Sequence, residues 1–187
     1  MKITWYGTAS ILLESEGERL LFDPFVELAG ASNPNNLEDF VQETDICITH
    51  GHVDHLFFIP EILEQADATV FATRAVMNTL EGWVEDTGCL VEVEPGYSWR
   101  QGNMRITVLK GKHTSFCAKT VFRKLLNPRL LRYFRNALFL AWAHPRFPEK
   151  GETAAYQIEA EGKRILLLGS MELDPDTVYP ENADLLI

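Results

Sequence analysis

Asp45-Ile46-Cys47-Ile48-Thr49-His50-Gly51-His52-Val53-Asp54-His55 joins an apolar run to four candidate metal ligands packed into six residues. The run Asp45 to Thr49 reads as a buried strand, so the histidines emerge at a strand end, where a rigid scaffold can aim them into a cleft. Gly51 lets the backbone turn between them. Three of the chain's five histidines lie here, interleaved with glycine and aspartate, which is not the pattern of isolated surface histidines. Neutral imidazoles beside a carboxylate suit zinc, with manganese and iron as alternatives, whereas a soft-metal site would need more thiolate.

At 187 residues with 46% hydrophobic content, one globular domain spanning 1–187 is expected. No apolar run reaches the roughly 20 residues a membrane span needs, and the opening lacks a signal peptide's apolar core, so the expected compartment is the cytoplasm. Cys47, Cys89 and Cys117 are odd in number and widely spaced, which argues for reduced thiols rather than a disulfide framework.

The net charge of -10 is unevenly spread. Residues 115–150 hold eight of the 17 basic residues but only one of the 27 acidic ones, Glu149. This cationic segment is expected to be a helical insertion. From Pro128 onward Leu130, Leu131, Phe134, Ala137, Leu138, Ala141 and Trp142 fall in one stripe, with Arg129, Arg132, Arg135 and Asn136 outside it. Packing on the chain's own core and service as a lid, a peripheral membrane contact or a protein contact are the alternatives for that stripe. Self-association stays open, and the acidic body argues against nucleic acid as a partner.

The remaining pattern is mixed. Lys2 to Tyr6, Ile11 to Glu14 and Arg19 to Phe22 read as a β-meander, with Asp23-Pro24 ending its third strand. A brief helix is expected over Leu37 to Val41, and another starts near Pro60. Thr69 to Ala72 is a short strand. Thr73 is expected to cap a helix carrying Val76, Met77, Leu80 and Val84, with Gly88 as its stop. Cys89 to Val93, Tyr97 to Trp99 and Met104 to Leu109 return to strands leading to His113, and Ala154 to Ala160 forms a hairpin with Arg164 to Leu168. The class is α/β, with helices outside packed sheets. No dinucleotide fingerprint or P-loop occurs.

Ile3-Thr4-Trp5-Tyr6-Gly7-Thr8-Ala9-Ser10, Phe22-Asp23-Pro24 and the H-x-H-x-D-H string at His50 to His55 together resemble the metallo-β-lactamase superfamily, in its branch of metal-dependent hydrolases similar to the ascorbate-6-phosphate lactonases. The resemblance implies an αββα sandwich and a metal site between the sheet edges. A first metal would take His50, His52 and His113, and a second Asp54 and His55, with Asp23 on the site floor.

Three departures stand out. Thr8 replaces the histidine of the branch's Gly-His-Ala, Ser170 replaces a bridging aspartate, and a final histidine has no counterpart before Ile187. One metal per chain is therefore expected rather than two, unless Glu172 or Asp174 reaches inward. Cys117 and His144 are read as an inert thiol and a helix-end histidine, not as ligands.

The activity implied is hydrolysis of a small, anionic ester, lactone or phosphoester by a metal-activated water. Asp54 would orient or deprotonate that water, and His55 would hold a second metal or steady the leaving oxygen. Arg123, Lys124, Arg129 and Arg132 are candidates to attract the anionic group. A metal-binding scaffold without turnover is the alternative that Thr8 and Ser170 motivate. The apolar end Asp184-Leu185-Leu186-Ile187 reads as a buried strand, so an incomplete second half of the sandwich, with Ile187 against an apolar surface or gap, is also expected.

Overall fold

The apolar period of two in the first 22 residues builds the first sheet. β1 (Lys2–Gly7), β2 (Ser10–Ser15) and β3 (Glu18–Phe22) pair antiparallel in sequence order. At the β2–β3 turn Glu16 and Gly17 both take positive φ, the hairpin geometry whose twist matches the strands. β4 (Asp45–Cys47), β5 (Val70–Ala72) and β6 (Leu90–Glu92) then add in parallel, giving the order β1-β2-β3-β4-β5-β6. The computed structural model describes residues 1–31, 34–42, 44–113, 133–147 and 151–187.

The parallel strands are joined by short helices: α1 (Val53–Leu56) and α2 (Ile59–Leu63) follow β4, and α3 (Arg74–Leu80) follows β5. A short 3-10 turn covers Leu37–Asp39, capped by Asn36, and another covers Thr87–Cys89. A second sheet runs β11 (Met171–Leu173), β8 (Met104–His113), β9 (Ala154–Ala160), β10 (Lys163–Leu167), β12 (Leu185–Leu186). β7 (Ser98–Gln101) shares an edge of β8 with β11, pairing lower down.

Alternation sorts the side chains into layers. Ile11, Leu13, Leu20 and Phe22 face Met104, Ile106, Tyr156 and Ile158 in the core between the sheets. Their neighbours Leu12 and Leu21, with Ile46, Ile48 and Val70, pack on Leu56, Ile62, Val76 and Leu80 of the helices. β4 is thus covered on both faces, as its unbroken apolar run requires. The outer face of the second sheet carries Ala155, Leu166 and Leu168 against Leu109, Tyr179 and Ala183, and no helix covers it among the described residues. The α/β class with helices outside packed sheets holds, with the helical layer described on one side.

The Tyr156 hydroxyl crosses the inter-sheet core and donates to the Ile48 carbonyl at 2.8 Å. Tyr156→Phe keeps the ring and strands that carbonyl, so a stability loss of about 1–3 kcal/mol is expected in urea melts. No change in midpoint would show the bond to be without net value.

Several local expectations need correction. α3 stops at Leu80 rather than Gly88, because the amides of Trp83 and Val84 both turn back onto the Leu80 carbonyl. Thr73 sits at the helix N-cap position without a side-chain cap. The Glu152 carboxylate instead accepts from the Ala75 amide at 2.7 Å. In the basic segment α4 (Phe134–Ala143) is helical as expected, and of the alternatives for its stripe Phe134, Leu138 and Trp142 are exposed rather than packed on the core. The packed face is set by Phe139 against Phe57, by buried Ala143, and by Asn136, whose amide donates to the Ala29 carbonyl. Residues 114–132, including Cys117 and most of the cationic cluster, lie outside the described residues.

At the chain's other end the strand expected to be buried is not: Leu185 and Leu186 of β12 are exposed, and only Ile187 is half-buried, laddered to Leu166 and Leu168. A crevice of about 410 Å³, lined by Ile3, Trp5, Ile11, Leu167, Leu185 and Ile187, separates this edge from β1 and β2. No helix among the described residues is long and apolar enough to cross a membrane.

Candidate metal centre

The ends of β3, β4, β8 and β10 meet at one rim of the sandwich, and the polar residues of the sequence motifs collect there. Asp23 follows β3 directly. It is fully buried and held at φ 45°, a left-handed conformation that aspartate tolerates better than most residues. Its amide donates to the Cys47 carbonyl at 3.1 Å, and Ser10 clamps the turn by donating to the Asp23 carbonyl and accepting from the Phe25 amide. The Asp23 carboxylate therefore points along the end of β4. There Oδ1 accepts from the Thr49 amide at 2.8 Å, and Oδ2 from the Thr49 hydroxyl at 2.7 Å.

The histidines stand on this floor. His55 Nδ1 lies 3.0 Å from Asp23 Oδ2. His50 and His55 are both buried, with ring centroids 3.9 Å apart. His50 Nε2 is 3.0 Å from His52 Nδ1, and His113 Nε2, delivered by the end of β8, is 3.3 Å from the same atom. One ligand atom from each of His50, His52 and His113 falls within 4.8 Å of the others. Four tetrahedral nitrogens at 2.0–2.1 Å from zinc sit about 3.3 Å apart, so the 3.0 and 3.3 Å gaps to His52 match a single ion, while the widest separation, up to 4.8 Å, has to close for all three to bind it.

The electrostatics match the donor chemistry. Burial first, then the neighbouring histidines, depress His50 to about 2, and burial with the charge of His113 depresses His52 to about 4. Both imidazoles are thus kept neutral, the state in which a metal can bind them. His55 goes the other way. Burial opposes its charge, but Asp23, by charge and hydrogen bond, together with Asp54 raises its pKa above the ordinary histidine value.

A pH dependence follows. Between about pH 6.5 and the folded values of 4 and 2, the unfolded chain binds protons at His52 and His50 that the folded chain does not. Stability of the metal-free protein should therefore fall as pH drops through this window, by at most about 1.4 kcal/mol per pH unit from buried His50. His55 cannot offset this. The stability from its raised pKa is complete below the unfolded value and is lost only as pH rises. Urea midpoints at pH 7, 6 and 5 test this, and a flat series would contradict it.

Not every expected residue joins the cluster. Asp54 is partly exposed, its Oδ2 3.8 Å from His55 Nε2. Thr8 is exposed at φ 43° and donates to Glu27 Oε1 at 2.6 Å. Ser170 is exposed and precedes Met171, the strand partner of His113. Glu172 and Asp174 do not replace the missing carboxylate. They lie toward Lys112 and Lys110 at 3.9 and 2.9 Å, because β11 pairs in a register that sets them beside those lysines. Arg123, Lys124, Arg129 and Arg132 fall outside the described residues.

Sequence reasoning missed three contributors. His144 is the C-cap of α4, as a helix-end histidine should be, but its ring also lies 5.9 Å from that of His52. Ser10 buttresses Asp23, and Thr49 joins Asp23 to two histidines. The only available signal for Thr49 was its place directly before the ligand string.

Comparison with known proteins agrees with this geometry. Residues 2–120 match the profile described as Beta-lactamase superfamily domain. A UPF0173 metal-dependent hydrolase of Archaeoglobus fulgidus is 31% identical over 115 residues, covering 62% of this chain and 47% of the relative. One from Carboxydothermus hydrogenoformans is 39% identical over 80 residues, covering 43% and 34%. This chain thus spans at most about half the length of these curated relatives. Among solved structures, Igni18, a metallo hydrolase from Ignicoccus hospitalis, superposes with a TM-score of 0.57 at 16% identity, over 91% of this chain and 60% of its own. With the family profile matched over residues 2–120 and the same fold in solved structures, this chain belongs to the metallo-β-lactamase superfamily.

Proposed function

We propose that this protein is a metal-dependent hydrolase of a small, anionic ester, lactone or phosphoester. The observation that carries this reading is the convergence of His50 Nε2, His52 Nδ1 and His113 Nε2, with successive gaps of 3.0 and 3.3 Å. These atoms would hold one divalent ion per chain, with zinc best suited to three imidazoles. When bound, such an ion supplies Lewis acidity and brings a water's pKa near 7.

The chain's own residues supply the rest. Asp54, partly exposed beside the cluster, orients the attacking water and takes up its proton. His55, held from below by Asp23, presents Nε2 on the side of Asp54, where it steadies the leaving oxygen. Burial of His50 and the packing of Ile48 and Val53 beneath the motif keep bulk water from the floor. The basic residues of 115–150 attract the substrate's anionic group, and the similarity to relatives named metal-dependent hydrolases supports the reaction class.

The test uses the 187-residue chain stripped with a chelator and then reloaded with zinc, manganese or iron. Chromogenic ester, lactone, phosphomonoester and phosphodiester substrates are each assayed before and after. Metal-restored turnover of one class, absent from His50→Ala, is expected. Stoichiometric metal with no turnover of any class would instead favour the scaffold reading, which the engagement of Thr8 with Glu27 also favours.

A further inference from the structure

The buried hydroxyl of Thr49 has more neighbours than it has protons, and this constrains the histidines around it. Thr49 Oγ1 lies 2.7 Å from Asp23 Oδ2, 3.1 Å from His50 Nδ1 and 3.2 Å from His55 Nδ1. A hydroxyl has one hydrogen and two lone pairs. The Asp23 carboxylate can only accept, so that hydrogen goes to Oδ2. Both imidazole contacts must then come from nitrogens that donate. His55 Nδ1 is also 3.0 Å from Asp23 Oδ2, so its N–H is shared between carboxylate and hydroxyl. Among the described residues His50 Nδ1 has no second partner, and its proton there is fixed by Thr49.

We infer that Thr49 is the positioning residue of the metal centre: by accepting from His50 Nδ1–H and donating to Asp23, it locks His50 in the tautomer whose bare Nε2 faces His52 and His113. The inference rests on the metal-centre reading above. It gives the buried Asp23 charge a route to a ligand it does not touch directly, by carboxylate, hydroxyl and imidazole in series. Thr49 cannot turn away from this role. It is fully buried, its amide is held by Asp23 Oδ1, and its carbonyl accepts from Ala154 at 2.8 Å across the sheets. Its side chain is closed in by Gly169 at φ 63°, where an added Cβ would stand 3.1 Å from both Oγ1 and Cγ2. No other side chain fits at 169 without pressing on it.

The experiment pairs two readouts on the 187-residue chain. Long-range proton–nitrogen NMR of the metal-free protein reads the His50 tautomer, and competition with a chromophoric chelator reads zinc affinity. The wild type is expected to carry the His50 proton on Nδ1. Thr49→Ser keeps the hydroxyl and should hold that tautomer, with zinc affinity within about 3-fold. Thr49→Val keeps the shape without the hydroxyl. It should mix the tautomers and weaken zinc by about 10–100-fold, the range for a lost partner of a ligating histidine. A wild-type His50 proton on Nε2 overturns the inference even if Thr49→Val fails to fold. Equal affinity in Thr49→Val overturns it too, while leaving the metal centre standing. Failure of the wild type to take up zinc, with the proton on Nδ1, overturns the metal-centre reading instead.

Discussion

His50→Ala is expected to abolish retention of a divalent ion through gel filtration, and with it all metal-restored hydrolysis. The loss should be larger than for any other single ligand. His50 is fully buried and contributes the nitrogen 3.0 Å from His52, so its removal leaves a dry gap rather than a position that water or a mobile side chain can refill. His52 and His113 are partly exposed, and alanine at either should leave weak, rapidly exchanging metal. Elemental analysis after desalting checks this. One equivalent retained by His50→Ala would mean that the ion sits elsewhere.

The second large effect is expected beneath the ligands. Asp23 accepts from the Thr49 amide, the Thr49 hydroxyl and His55 Nδ1, all within 3.0 Å and all buried. Asp23→Ala strands these donors in a dry interior and removes the partner that favours charged His55. A stability loss of about 3–5 kcal/mol is expected from urea unfolding. Asp23→Asn keeps the volume and one acceptor but turns an N–H toward Thr49 and His55, so a smaller loss is expected. A loss under 1 kcal/mol for the alanine variant would contradict a structural role for the floor carboxylate.

Much of this centre was legible in the sequence because it is local. His50, His52 and His55 share one strand end, and the apolar run before them reads as a buried strand, which the sheet bears out. His113 lies 61 residues from His52, and its assignment came from a strand ending there together with the family resemblance. What escaped were properties that only the assembled sheets determine. The three contacts of Thr49 need β3, β4 and α1 in place, and the approach of His144 to His52 depends on how α4 lies across α1.

The face that a helix packs is settled in the same way. The stripe of Phe134, Leu138 and Trp142 has helical spacing, yet α4 packs through Phe139 and Ala143, because Phe57 and Phe147 offer an aromatic surface on that side. Periodicity gave the element, and the packing shows that the stripe's Phe134, Leu138 and Trp142 are left exposed while Phe139 and Ala143 meet the core. Glu172 and Asp174 were likewise in range along the chain, and only the β8–β11 register shows them beside lysines.

The three-histidine centre is tested most directly by X-ray absorption at the metal edge of protein reconstituted with zinc. A shell of three imidazole nitrogens at about 2.0–2.1 Å with one further light atom is expected, at one ion per chain. A sulfur in the shell, fewer than two imidazoles, or no ion retained would contradict it.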